Sequence, residues 1–388
     1  MNEKTKMIIE EYAASQTQTA ETLLMELGKI PAPSHQEDKR AVFCRDWLLS
    51  QGAEDVTIDA AKNVVCKIGV KKDTDLIVFM AHMDIVFPDL EPLTMKQEGR
   101  RLYAPGIGDD TANLVNLLMA AKFLLQNKPK MNTGFLIVAN ACEEGLGNLD
   151  GCKEIFRTYG SQIRAFYSFD GSLSNCTCEA VGSYRYKITV KTAGGHSWSD
   201  FGTPNAIEIL CRLVEGLYRV QVPTEARTTY NVGYIQGGTT VNSIAQEASV
   251  LYEFRSTSQK CLKIMQQNFD DILEDMKGAF TIETELMGVR PGNGDISAEA
   301  LKAFTEKNAE IIQMFCPGEI DYNAASTDSN IPLSLGISAN TIGTIAGKNA
   351  HTREEWVDLD SIPTGMKIAL GLMPVSYTHL AETVRYSY

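Results

Sequence analysis

Between Val64 and Asp170 short apolar runs alternate with segments of helical period, and this rhythm restricts the chain to a small set of folds. Strands are expected over Val64 to Val70, Leu76 to Ala81, Phe135 to Ala141 and Ala165 to Phe169. Helices are expected between them, over Thr111 to Leu125 and Leu149 to Tyr159. Such strands are expected to be buried, and the helices serve as crossover connections between parallel neighbours. The implied fold is α/β, with a mostly parallel mixed sheet flanked by helices.

Two helices precede this region, Lys4 to Leu27 and Gln36 to Gln51, parted at Ile30-Pro-Ala-Pro-Ser34 because proline cannot continue a helix. After Asp170 the pattern changes. Tyr184 to Lys191, Thr228 to Ile235 and Glu247 to Arg255 alternate as half-buried antiparallel strands do, and Thr281 to Leu286 adds another strand. Helices over Pro204 to Tyr218 and Gln259 to Met276 complete an α+β block of βαββαβ type. Its exit is the turn-rich Val289-Arg-Pro-Gly-Asn-Gly294. The first style then resumes with a helix over Ser297 to Met314, a strand near Ile337 to Ile342 and a helix from Leu359. A chain of 388 residues exceeds what one core usually organises. The expected division is therefore a discontinuous domain, 1–180 with 292–388, interrupted by an inserted domain, 181–291.

A net charge of −13 disfavours a nucleic acid or an anionic membrane surface as partner, since either calls for a basic patch. No apolar run approaches membrane-spanning length, and the charged, amphipathic start is unlike a signal peptide. Nine cysteines, odd in number and scattered, read as free thiols of a cytoplasmic protein. Cys176-Thr-Cys178, with no second pair, reads as structural.

The chemistry sits at the strand ends. His82-Met83-Asp84 closes an apolar run, and Gly108-Asp109-Asp110, Glu143-Glu144, Asp170 and His351 follow in the same discontinuous half. Singly, each has an ordinary explanation: a polar strand end, a helix cap, or a charge pair favoured by a helix dipole. Jointly they gather imidazoles and carboxylates at the crevice where open α/β sheets keep their ligands. That donor set suits zinc, and a carboxylate can bridge two ions where an imidazole cannot.

The ordered series His82-Met-Asp84, Tyr103-Ala-Pro-Gly-Ile-Gly-Asp109-Asp110, Glu143-Glu144-Gly145, Ser168-Phe-Asp170, Gly194-Gly-His196-Ser197 and His351 resembles the co-catalytic zinc exopeptidases and deacylases. That family includes glutamate carboxypeptidase, peptidase T, acetylornithine deacetylase and succinyl-diaminopimelate desuccinylase, and the likeness runs over about residues 25 to 372. The resemblance implies two zinc ions per chain, with cobalt or manganese as substitutes. His82 and Asp170 would hold one ion, Glu144 and His351 the other, and Asp109 would bridge them across a cis Asp109-Asp110 peptide. Asp84 would hydrogen-bond the second nitrogen of His82. Glu143 would be the general base toward a metal-bound water, the nucleophile. The inserted domain would serve dimerisation and act as a lid, presenting His196 across a homodimer interface to polarise the scissile carbonyl.

Asn242, ending Gly237-Gly-Thr-Thr-Val-Asn242, and Arg255 match family positions that grip a substrate carboxylate. Thr327, in Ala325-Ser-Thr-Asp328 where relatives have Gly-Gly-Thr-Asp, would be a further substrate contact. The activity implied is hydrolysis of the amide bond of short peptides, peptidase T-like or carboxypeptidase-like. N-acyl amino acids are the alternative substrates, and a binding protein without chemistry is the remote alternative. Val375-Ser-Tyr-Thr-His-Leu380 and the residues after it look like translated adapter sequence rather than part of the fold, so His379 is set aside as a ligand.

Overall fold

In the computed structural model, which describes residues 1–71, 74–276, 278 and 280–374, the apolar runs form the middle of an eight-stranded sheet. The adapter-like tail and His379 lie outside the described residues. Across the sheet the strands run Val56–Ile58, Val64–Ile68, Gly134–Asn140, Leu76–His82, Ile163–Phe169, Ala339–Ile342, Asn175–Ala180 and Asp321–Ala325. The central four are mutually parallel, while the pairings of Val64–Ile68 and Asn175–Ala180 with their inner neighbours are antiparallel. The Gly134–Asn140 strand is buried at every position, as expected of a strand covered on both faces. Phe79 packs at its centre, stacked on Tyr167 and edge-on to Phe135.

Helices Glu3–Leu27, Asn113–Asn127 and Ile362–Leu372 bury their apolar faces in this core. The first is capped by Asn2, whose side-chain oxygen accepts from Thr5 N at 2.8 Å. The last carries Pro363 at its second position, where no intrahelical N–H is required. Among the described residues no helix is long and apolar enough to cross a membrane.

The chain divides into two compact units: Met1–Cys178 with the chain from Ile296 onward, and Glu179–Asp295. The second unit is a four-stranded antiparallel sheet, ordered Thr228–Gly237, Glu247–Ser256, Gly182–Lys191 and Thr281–Arg290. Helices Ala206–Tyr218 and Gln259–Asp275 pack Leu210, Leu213, Met265 and Phe269 against Ile188, Val250 and Phe254. Both start at side-chain caps, Asn205 and Ser258.

The larger unit also contains a short-stranded meander, ordered Gly347–Lys348, Trp356–Asp358, Arg101–Tyr103 and Lys96–Glu98. Pairing of Trp356–Asp358 with Arg101–Tyr103 sets the turn bearing His351 against the segment leading to Asp109. These strands are too short to carry a readable period, yet they place two of the candidate ligands.

Candidate metal centre

His82 is the last residue of its strand, and its N–H donates to Asp110 Oδ2 at 2.9 Å. Its buried ring has Nδ1 2.9 Å from the Asp84 carbonyl oxygen. A carbonyl only accepts, so Nδ1 carries a proton and, in the neutral ring, the Nε2 lone pair faces Asp109 Oδ1, 3.1 Å away. The expected carboxylate contact of Asp84 is the longer one, at 3.5 Å. That carboxylate instead accepts from Glu143 N (3.0 Å), Glu144 N (2.9 Å) and Ser34 Oγ (2.7 Å). Asp84 therefore fixes His82 mainly through its backbone and the two glutamates through its side chain.

Asp109 lies in the wide helical turn Ile107–Ala112 that leads into the Asn113 helix, and the Asp109–Asp110 peptide is cis. Its Oδ2 is 3.1 Å from His351 Nε2, which is also 3.1 Å from Glu144 Oε1. His351 adopts φ 64°, a left-handed conformation, in the turn after Gly347–Lys348. Donor atoms of His82, Asp109 and Asp170 lie within 4.8 Å of one another, and so do those of Asp109, Glu144 and His351. Asp109 belongs to both sets. Two donors about 2.0–2.1 Å from a tetrahedral zinc stand ~3.3 Å apart, so the spacing suits two ions sharing one carboxylate. Glu143 is buried, with a carboxylate oxygen within 4.8 Å of donors on His82 and Glu144.

The charges are arranged to receive cations. Burial pushes Asp170 up to about 7, with Asp109 adding to the rise. Asp109 itself is driven upward by burial, but hydrogen bonds from His351 and His82 outweigh this and hold it below the usual carboxylate range. Burial lowers His82, yet the surrounding charges of Asp110, Asp109 and Asp84 carry it well above its ordinary value. His351 is raised to about 11, first by its hydrogen bond to Asp109 and then by that to Glu144. The His351 pairs accordingly stabilise the metal-free fold fully below the ordinary histidine pKa, and that contribution is lost as pH rises through about 11. At pH 7 the His351 ring is protonated without metal, so ion binding there is expected to release its proton. Calorimetric titration with zinc in buffers of different ionisation enthalpy checks this, and a buffer-independent heat would contradict it.

Glu355, unremarked in the sequence, lies behind the site. It is 1% exposed and accepts from Gly106 N at 2.9 Å and from Gly108 N and Asp109 N at 2.7 Å each. Burial, followed by the charge of Asp109, raises it to about 7 despite these bonds. Asn113 Nδ2 donates to Gly171 O at 3.2 Å, steadying the turn after Asp170. A cleft of ≈160 Å³ opens beside Asp109 and Asp170, bounded by Ser172, Lys348 and Trp356.

The remaining candidates fall into separate groups. In the smaller unit, His196 pairs with Ser243 across a two-stranded ribbon, and Ser197 N donates to Asn242 O at 3.0 Å, so His196 and Asn242 are neighbours. Both side chains are exposed. Arg255 is not with them. It lies eight residues along the Glu247–Ser256 strand, about 27 Å from its start at 3.3–3.4 Å per residue. Its guanidinium is held in a two-pronged bond to Glu253, at 2.9 and 3.0 Å. Thr327 lies in the larger unit, where its buried hydroxyl is 2.7 Å from Thr341 Oγ1 and accepts from Ser329 N. That hydroxyl supports its own loop.

The profile of Peptidase family M20/M25/M40 matches residues 78–374. The chain belongs to that family. Among M20 relatives by fold, the aminopeptidase PepT of Bacillus cereus ATCC 10987 superposes with a TM-score of 0.72 and 18% identity, covering 92% of this chain and 97% of that one. A tripeptidase of Staphylococcus aureus subsp. aureus Mu50 gives a TM-score of 0.72 and 20% identity over the same shares. In sequence, the uncharacterised protein YqjE of Bacillus subtilis (strain 168) is 27% identical over 326 residues, 79% of this chain and 83% of that one. The M20 fold thus accounts for the mixed sheet, and the family assignment makes this protein a hydrolase.

Proposed function

We propose that this protein is a di-metal exopeptidase of zinc-class ions that hydrolyses the amide bond of short peptides next to a free carboxylate. The carrying observation is Asp109, whose two oxygens each stand 3.1 Å from a different histidine Nε2. With Asp170 beside the first pair and Glu144 beside the second, the residues fit a carboxylate-bridged pair of ions. Bound there, the ions would supply an acidified water and a Lewis acid toward the scissile carbonyl.

The protein's own groups do the rest. Glu143 accepts the proton of the attacking water and passes it to the leaving amine. Asp84 holds the Glu143 and Glu144 backbone while its carbonyl fixes the His82 tautomer. The names of the PepT and tripeptidase neighbours favour short peptides as substrates. The test is hydrolysis by zinc-loaded protein of di- and tripeptides with free or amidated carboxyl ends, alongside N-acyl amino acids. Cleavage of the free-carboxylate peptides is expected. Turnover of N-acyl amino acids alone would move the enzyme to the deacylase branch.

The smaller unit is assigned to dimerisation and to closing over substrate, with His196 acting across a homodimer and Asn242 and Arg255 as substrate-carboxylate contacts. Trp198, Phe201 and Val241, 86%, 91% and 100% exposed around the His196–Asn242 ribbon, favour a covered surface in the assembly. His196→Ala and Glu143→Ala proteins, each inactive, are expected to recover about a quarter of wild-type turnover when mixed and allowed to exchange, because half the dimers then hold one intact site. Absence of recovery despite exchange would place His196 in its own subunit's site. All nine cysteines are free, in keeping with the reducing cytoplasm proposed as its location.

A further inference from the structure

The segment carrying the bridging candidate is unusual in how its backbone is held. Three N–H groups, those of Gly106, Gly108 and Asp109, converge on the one carboxylate of Glu355. That carboxylate is almost fully buried. A carboxylate surrounded by N–H donors holds them firmly, because leaving any of them unpaired in the interior carries a desolvation cost.

Glu355 is also tied to His351. Thr352 N donates to Asn349 O at 3.1 Å and Glu355 N to Thr352 O at 3.3 Å, so His351 lies within the first of two successive turns and Glu355 closes the second. Ala104 N donates to Glu355 O at 3.1 Å, closing the far end. One residue thus joins the turn bearing His351 to the loop bearing Asp109, whose Oδ2 must meet His351 Nε2 at the second ion position.

We propose that Glu355 is a positioning residue for the metal centre, setting the distance between Asp109 and His351 and thereby the affinity of the ion they share. The proposal rests on the di-metal reading above. It assigns Glu355 no contact with substrate or metal. Its effect passes through the Asp109 backbone, whose φ and ψ of −112° and 89° depart from helical values within the turn and aim the carboxylate outward between the histidines.

Glu355→Gln keeps the shape of the side chain, but its NH2 meets one N–H donor with another. Metal-free wild-type and variant proteins would be titrated with Zn²⁺ against a chromogenic chelator, and the visible spectra of their Co²⁺ forms compared. The expected result is a 10- to 100-fold loss of affinity at one of the two positions. A changed Co²⁺ band and an unchanged melting temperature of the metal-free protein should accompany it. Wild-type affinity in the variant, or a lower melting temperature with affinity intact, would overturn the proposal.

Should Glu355→Gln fail to fold, Gly108→Ala decides. A Cβ at residue 108 would stand 3.2 Å from Glu355 Oε1, a tight contact that displaces the clamp by tenths of an ångström without removing it. A several-fold affinity loss is expected, and wild-type affinity there overturns the proposal. A wild-type protein that binds no ion at all would instead overturn the di-metal reading itself.

Discussion

Asp109→Ala is expected to abolish turnover and the binding of both ions, whereas loss of any other candidate ligand should weaken one position. The asymmetry follows from geometry. Asp109 alone belongs to both donor sets, with Oδ1 facing His82 and Oδ2 facing His351. Removing it leaves His82 with Asp170, and His351 with Glu144, each a pair of donors where a zinc site normally has three or four. It also leaves four carboxylates, Asp110, Glu143, Glu144 and Asp170, near one another without the bridged cations that would offset them. Asp109→Asn, which retains one oxygen, is expected to keep partial occupancy of one position. Metal analysis of the two variants beside His351→Ala checks the pattern. Equal loss from all three would indicate cooperative rather than bridged binding.

Glu143→Gln should do the opposite, leaving both ions bound while lowering kcat by about 10²- to 10⁴-fold, the usual contribution of a positioned general base. Glu143 belongs to neither Asp109-sharing set, and its backbone is fixed by Asp84 independently of its side chain. The amide is nearly isosteric, so ion affinity and melting temperature are expected to stay close to wild type. Since the substitution removes proton transfer and leaves binding in place, KM should change much less than kcat. A variant with near-normal kcat would remove Glu143 as the base. One that lost its metal would make Glu143 a ligand, which its proximity to His82 and Glu144 renders a meaningful alternative outcome.

The central strands and their polar ends were legible because each is an apolar run bounded by turn residues, and such runs must be buried. His82 and Asp170 emerge where the periodicity of Leu76–His82 and Ile163–Phe169 puts them. The strands Asn175–Ala180 and Asp321–Ala325 carry no readable signal, the first because Asn175-Cys-Thr-Cys-Glu-Ala180 mixes small and polar residues. The strands presenting Asp109 and His351 are two or three residues long and have no period at all.

Glu355 carries no sequence signal of its own for another reason. Thr352-Arg-Glu-Glu355 looks like a solvated charge run, and only the apolar Trp356-Val357 after it hints that the last glutamate turns inward. The position of Thr327 in its motif says nothing of where its hydroxyl finds a partner, here Thr341, fourteen residues on. Nor does spacing along the chain reveal that Glu253, two residues from Arg255 on the same strand face, engages its guanidinium fork.

The most direct test is the metal content of the purified protein after chelator stripping, reloading with zinc and removal of excess ion. Two tightly held ions per chain, falling to none in Asp109→Ala, are expected from the shared carboxylate. A wild-type protein that retains none, or only one that survives Asp109→Ala, would contradict a bridged centre at His82, Asp109, Glu144, Asp170 and His351.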